Sequence, residues 1–363
     1  MLHDSGQAAA LLRAGHVLTD EVLYLGLKGF CLAIRSNSAR FTAQLGRYFA
    51  HVVTSPCEPD VLVEAYDTDI VQLDLNWQDW AREPGKAGRK DACYDLDDGR
   101  LVRKVRTGMI FLQSLQSRIA VGPCGELENQ VVNFINSQYM NWLQQQGWLI
   151  CHASGLDVDG YGIGMAGLSG GGKSTLMLGL MDQADVRYVT NDRLFVRREG
   201  DRVQATGIPK LPRINPGTIV HNPALHGLID AERRRELSAL PQKDLWHLEE
   251  KYDVMINQIY GDDRIEETME LGAFVVLNWS HEADAGVQIN EVDIESRSDL
   301  LPAIMKSPGP FYQFIDGAMY QDSMQPDPQA YIDVLQGVTV LEVSGRVDIP
   351  KLQQDLYQWL KSA

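Results

Sequence analysis

The sequence predicts an α/β chain in two parts, a small α+β unit over residues 1–120 and a larger α/β domain over residues 121–363. Three observations predict it. Short β-type runs and tight turns crowd the first 120 residues. A helical period then runs through 127–147. After it comes the order strand, glycine-rich loop, helix, strand, with polar residues at the carboxyl end of the last strand.

At 363 residues, 44% hydrophobic and 23% charged, the chain has an ordinary globular composition with room for two cores. Its formal net charge of -16 argues against a nucleic-acid partner, because phosphate backbones are held by basic stripes. There is no apolar run of about 18 residues and no apolar signal segment at the N-terminus, so no membrane is expected and a cytoplasmic location is. Cys31, Cys57, Cys93, Cys124 and Cys151 are odd in number, widely spaced and free of any CxxC pattern. They read as reduced thiols, not as a disulfide frame or a zinc site.

Residues 18–35 hold two apolar runs around Lys28-Gly29, which predicts two strands or a hairpin. Ser38 is placed to cap a helix in which Phe41, Leu45, Tyr48 and Phe49 share a face. VLVEAYD (61–67), DIVQLDL (69–75) and GMIFLQS (108–114) read as strands, and 92–108 as a hairpin turning at Asp98-Gly99. In the segment 127–147, Val131, Phe134, Ile135, Tyr139 and Leu143 recur at helical intervals, and this helix is expected to lead into the second domain.

Beyond it, WLICHASGL, a turn at 158–161 and GIGMAG predict two strands. GLSGGGKST follows, with the spacing G-x-x-x-x-G-K-[ST] from Gly167 to Ser174. A strand before it and an apolar helix after it are the context a triphosphate-binding loop requires. Glycines let backbone N–H groups close on an anion without a Cβ in the way, and the helix N-terminus adds partial positive charge. Gly167, Ser169, Gly170, Gly171, Gly172, Lys173, Ser174 and Thr175 are therefore the candidate nucleotide-binding residues. Lys173 is expected to reach the terminal phosphates and Ser174 to ligate Mg²⁺, with Thr175 a weaker substitute. VRYVTNDR supplies the next strand, ending in Asn191-Asp192-Arg193, where Asp192 is a candidate metal ligand or base.

The histidine ending one strand (His152), the turn Asp157-Val158-Asp159-Gly160, the glycine-spaced Tyr161-Gly162-Ile163-Gly164 and then Gly167 make up a distinctive series. In this the chain resembles the HPr kinase/phosphorylase superfamily, in particular the group called HprK-related kinase B. The resemblance is specific over 148–200 and thinner over 200–350. It implies a P-loop kinase domain of the HPr kinase/PEP carboxykinase-like type, with a mixed, curved sheet, ATP and Mg²⁺ as cofactors, a protein-serine acceptor and a homo-oligomeric assembly. It also implies a catalytic role for His152 and an acid pair at Asn191 and Asp192. The sequence departs from that pattern at Asn191, since an amide accepts no proton: either Asp192 takes the base role, Asp157 or Asp159 helps, or the chemistry differs.

The proline-rich segment 206–223 carries Lys210 and Arg213 three residues apart. A loop stiffened by proline presents basic side chains at little ordering cost, so both are expected to face the γ-phosphate or the acceptor. The expected catalytic set is Asp192, His152, Lys173, Lys210 and Arg213, with Ser174 and Asp192 on the metal. The expected activity is ATP-dependent phosphoryl transfer to a hydroxyl of a protein serine or a small molecule. The alternative is a nucleotide-binding regulatory or assembly module with weak or no kinase activity.

Overall fold

The computed structural model describes residues 2–81, 88–167, 171–241, 244–245, 248 and 250–362. Ser169 and Gly170 of the glycine loop lie outside the described residues. The chain divides into two compact units, one of residues 1–147 with 307–325 and the other of 148–306 with 326–363. The division falls after residue 147, not 120, so the helix expected to lead into the second unit belongs to the first.

The first unit is built on an eight-stranded mixed sheet. Its strands are β1 (Val22–Leu27), β2 (Phe30–Ser36), β3 (Val61–Asp67), β4 (Gln78–Asp79), β5 (Asp91–Leu96), β6 (Gly99–Lys104), β7 (Ile110–Ser114) and β8 (Arg118–Gly122). They lie in the order β1-β2-β3-β8-β7-β6-β5-β4, with β3 parallel to both its neighbours. The segment 69–75, expected as a strand, joins no ladder. Its alternating Val71, Leu73 and Leu75 pack against the core instead, so the period came from burial without pairing.

Among the described residues, three helices accompany this sheet. In α1 (Ser5–Arg13), which the sequence reading did not anticipate, Ala8, Ala9 and Leu12 pack on Leu101, Leu112 and Ile119. The Asp4 carboxylate caps it by accepting from Gln7 N at 2.8 Å. Ser38 caps α2 (Ala39–Tyr48), accepting from Phe41 N at 3.3 Å, and Phe41 and Leu45 are buried. α3 (Glu128–Gln145) is buried on more than its apolar face: Asn136, Ser137, Gln138 and Asn141 are inside as well.

The segment 307–325 is held to this unit by Arg100, whose side chain is 1% exposed. It donates to Tyr320 O at 2.8 Å and Pro310 O at 3.2 Å, and pairs with Asp95. Phe311 packs edge-on against both Phe111 and Phe134.

One cysteine reading is corrected. Cys31 and Cys57 form a disulfide, while Cys93, Cys124 and Cys151 are free and buried. Cys31 and Asp60 are joined by backbone and side-chain hydrogen bonds, which bring the loop before β3 alongside β2. That leaves the two Cα atoms 6.7 Å apart, within bridging range. Spacing along the chain, 26 residues, gave no hint of it.

Just after α2, burial lowers the pKa of His51 to about 4. The unfolded chain takes up this proton below about pH 6.5 and the folded chain only near 4. Stability from the buried neutral ring is therefore whole above 6.5 and declines as the pH falls to about 4. The full loss is on the order of 3 kcal/mol. Chemical unfolding of His51→Gln across this range should show a flatter acid limb than wild type; equal limbs would show that His51 does not set it.

The second unit carries a nine-stranded sheet. Its strands are β9 (Leu149–Cys151), β10 (Ala153–Val158), β11 (Tyr161–Gly167), β12 (Val186–Thr190), β13 (Leu194–Glu199) and β14 (Arg202–Thr206). A separate two-stranded ribbon joins β15 (Arg213–Ile214) and β16 (Tyr252–Asp253). β17 (Thr268–Leu277), β18 (Gln288–Val292) and β19 (Thr339–Ser344) complete the sheet. The main path runs β12-β10-β11-β17-β14-β13-β9, with β19 on β17 and β18 on β19.

β17 belongs to two groups of strands. Its start, Thr268–Glu270, pairs antiparallel with β14, and its later part runs parallel to β11 and β19. Gly162 makes the switch possible: a Cβ there would stand 2.3 Å from Glu270 O. The glycine spacing of 161–164 is thus a packing requirement of β11 against β17.

α4 (Lys173–Leu180) follows β11 and packs against the C-terminal helix Ile349–Leu360, whose Leu352, Leu356 and Leu360 are buried. Among the described residues no helix is long and apolar enough to cross a membrane.

Candidate functional site

The site is assembled where two chain segments change strand groups at the same level. β9 pairs with β13, but β10, one residue later, pairs with β11 and β12. His152 is the residue between, and its N–H donates to Ile304 O at 2.7 Å. Asn191-Asp192-Arg193 occupy the matching position between β12 and β13. Since Leu194 is registered with Cys151 and Ala153 with Ala166, both breaks lie beside the end of β11, where the glycine loop starts. Strand ends leave polar groups unladdered, which is why chemistry collects at such a break.

The loop's close is described. Gly172, with φ of 85°, lies in the left-handed region that favours glycine and hands the chain to α4. Trp279, just past β17, donates from its indole N–H to Gly171 O at 3.0 Å. Lys173 opens α4; its Nζ donates to Gly167 O at 3.2 Å and stands 3.2 Å from His152 Nε2.

That same Nε2 lies 3.1 Å from Asp192 Oδ1, so His152 stands between an ammonium and a carboxylate. Asp192 also pairs with Arg193. Burial opposes its ionisation, but the charges of Arg193, His152 and Lys210 outweigh burial and hold its carboxyl far below the usual range. The carboxylate is accordingly ionised at any ordinary pH. Its side chain is 37% exposed, so a ligand can reach it.

Asn191 serves two purposes. Its carbonyl accepts from the buried Ser154 hydroxyl at 2.6 Å, which anchors the turn. Its side-chain Oδ1 accepts from Ser174 Oγ at 2.9 Å. The residue standing against the proposed metal-binding serine is thus Asn191, and Asp192 stands against His152. Thr175 is turned elsewhere, its hydroxyl 2.9 Å from that of Thr218 on α5 (Pro216–His221).

The structure therefore brings together Gly167, Gly171, Gly172, Lys173, Ser174, His152, Asn191 and Asp192, with Lys210 close enough to act on the Asp192 charge. The Lys210 carbonyl is held by Tyr188 OH at 2.7 Å, which ties the proline-rich segment to β12. Arg213 is not among them. It faces Asp253 at 3.6 Å across the β15–β16 ribbon. Sequence reasoning missed Trp279, although its place at the carboxyl end of a strand parallel to β11 was a usable signal.

Ser174 hydroxyl, Asn191 amide oxygen and Asp192 carboxylate are hard oxygen donors of the kind Mg²⁺ takes. Among the described residues there is no group of three His, Cys, Asp or Glu with the arrangement of a metal cage. A magnesium ion held mainly by substrate phosphates needs only one or two protein ligands, so this donor set fits it.

No family model matches the chain, and no curated protein matches it. Among solved structures it is similar to the Hpr(Ser) kinase/phosphatase from Coxiella burnetii, with 12% identity and a TM-score of 0.29, over 59% of this chain and 94% of that one. At that identity and score the likeness carries no weight for function.

Proposed function

We propose that the second unit is an ATP-dependent phosphotransferase acting on a hydroxyl. One observation supports this above the rest: the lysine and serine closing a glycine loop lie within hydrogen-bond reach of a histidine and an asparagine, beside an ionised carboxylate. Phosphoryl transfer needs positioning and charge neutralisation more than covalent help from the protein, and these residues supply both.

In the proposed reaction the glycine-loop N–H groups and Lys173 hold the triphosphate. Ser174, with Asn191 against it, and Asp192 would hold Mg²⁺, whose charge offsets that developing on the phosphates. The acceptor oxygen attacks the γ-phosphorus, and the bond from that phosphorus to the β–γ bridging oxygen breaks. Asp192 takes the hydroxyl proton, leaving ADP and a phosphate ester. His152 orients the Asp192 carboxylate, and Lys210 adds positive charge near it. Asp192 is a weak base in this setting, so its main contribution is to aim the hydroxyl.

A second reading, a nucleotide-binding module without turnover, is favoured by the same weakness of Asp192 and by the amide at Asn191. The acceptor is proposed to be a protein serine or a small hydroxyl compound. Incubation with γ-labelled ATP, Mg²⁺ and candidate acceptors should put label on an acceptor. Tight nucleotide binding with no label on any acceptor would reject the transferase in favour of the module.

A further inference from the structure

The first unit contains a cavity of about 210 Å³ that the proposed phosphotransfer does not use. At roughly 30 Å³ per water, that is room for about seven waters. The cavity reaches the surface, where Asp60 and Leu115 are exposed, and its inner wall is unusually polar. Gln138, Asn141 and Gln145 line it from successive turns of α3, where helix packing normally calls for apolar residues.

The amides are oriented alike. Gln138 donates to Gln113 Oε1 at 2.8 Å, Asn141 to Phe311 O at 2.8 Å and Gln145 to Gln313 O at 2.9 Å. Gln313, fully buried, donates to Gly317 O at 2.8 Å and Asp98 O at 3.2 Å, and its Oε1 has no partner. With their N–H₂ groups committed to protein acceptors, Asn141, Gln145 and Gln313 retain their carbonyl oxygens as acceptors. A buried amide oxygen without a donor is costly, and a bound molecule carrying N–H groups would relieve it.

Two charged residues line the same cavity. Arg118 forms no ion pair with any described residue, its Nε is buried without a partner, and burial pushes its pKa down. Asp60 uses Oδ2 on Cys31 N at 2.7 Å. Holding a half-buried arginine without a counter-charge is unfavourable, and a carboxylate ligand would supply one. Phe30 and Trp142, 5.4 Å apart, supply an apolar side.

We propose that this cavity is a binding site for a small α-amino acid, with its carboxylate on Arg118 and its ammonium on Asp60 and the amide oxygens of Asn141, Gln145 and Gln313. The charge pattern selects the class: one cation, one anion and a set of acceptors match a zwitterion. A simple anion would leave the acceptors unmet, and a simple amine would leave Arg118 unpaired. The volume suits a small side chain.

Isothermal titration of the full chain with glycine, alanine, serine and aspartate at millimolar concentration tests this, with acetate, methylamine and inorganic phosphate as controls. At least one amino acid should give a saturable heat and raise the unfolding temperature, and the controls should not. Arg118→Met should weaken that binding by about ten- to a hundredfold. Asp60→Asn, which keeps the acceptor for Cys31, should weaken it while preserving the fold, and serves if Arg118→Met does not fold. No saturable heat with any amino acid, equal binding of acetate or phosphate, or affinity unchanged in both variants would overturn the proposal. Phosphotransfer by the second unit is read separately, so failure here leaves that reading untouched.

Discussion

Replacing Lys173 with alanine is expected to lower phosphoryl transfer by on the order of 10³-fold, about 4 kcal/mol of transition-state stabilisation. The side chain opens α4, and its contacts include Gly167 O and His152 Nε2, each at 3.2 Å. It lies at the start of the helix and outside the apolar core, so unfolding free energy should move by only about 0.5–1 kcal/mol. The comparison to make is kcat/KM for label transfer against a denaturant midpoint. A large fall in the midpoint with turnover retained would show that Lys173 braces the loop instead of the phosphates.

Asp192→Asn is the second change of large effect. An amide neither takes the hydroxyl proton nor gives Mg²⁺ a charged ligand, and the expected loss in kcat is about 10²–10⁴-fold. It also carries a signature in stability. Although burial works against it, the Asp192 carboxylate is held ionised by Arg193, His152 and Lys210, so its folded pKa lies below the unfolded value. That stabilisation is present above the ordinary carboxylate range, about pH 4, and is lost as the pH falls toward the depressed folded value. The asparagine variant should lack this acid limb. Full activity in the variant would dismiss Asp192 as the proton acceptor.

The strand and helix on either side of the glycine loop were legible because each follows from local chemistry: β11, α4 and β12 stand where the apolar periods place them. The Ser38 cap and the helix 127–147 were legible for the same reason. Three features were not. WLICHASGL reads as one strand, but the chain changes partners at His152, and pairing of distant strands leaves no local trace. Arg213 and Lys210 are alike in sequence, yet Asp253, forty residues on, claims the arginine. The helical period of 127–147 shows only its apolar face, whereas Gln138 and Asn141 are inside as well because 307–325 covers them with backbone acceptors such as Phe311 O. In each case the deciding partner is remote along the chain.

The return of 307–325 to the first unit has a consequence for biosynthesis. Residues 1–147 are made first but lack Phe311, Gln313 and the carbonyls that satisfy Arg100. The ribosome must add all of 148–306 before these arrive, on the order of 10–30 s at ordinary rates. Through that interval the nascent first unit keeps the Arg100–Asp95 pair but lacks the two acceptors of Arg100 Nη1 and the cover of an aromatic face. Its completion therefore waits on translation of the second unit, and a gene fragment stopping at 147 encodes an unfinished product.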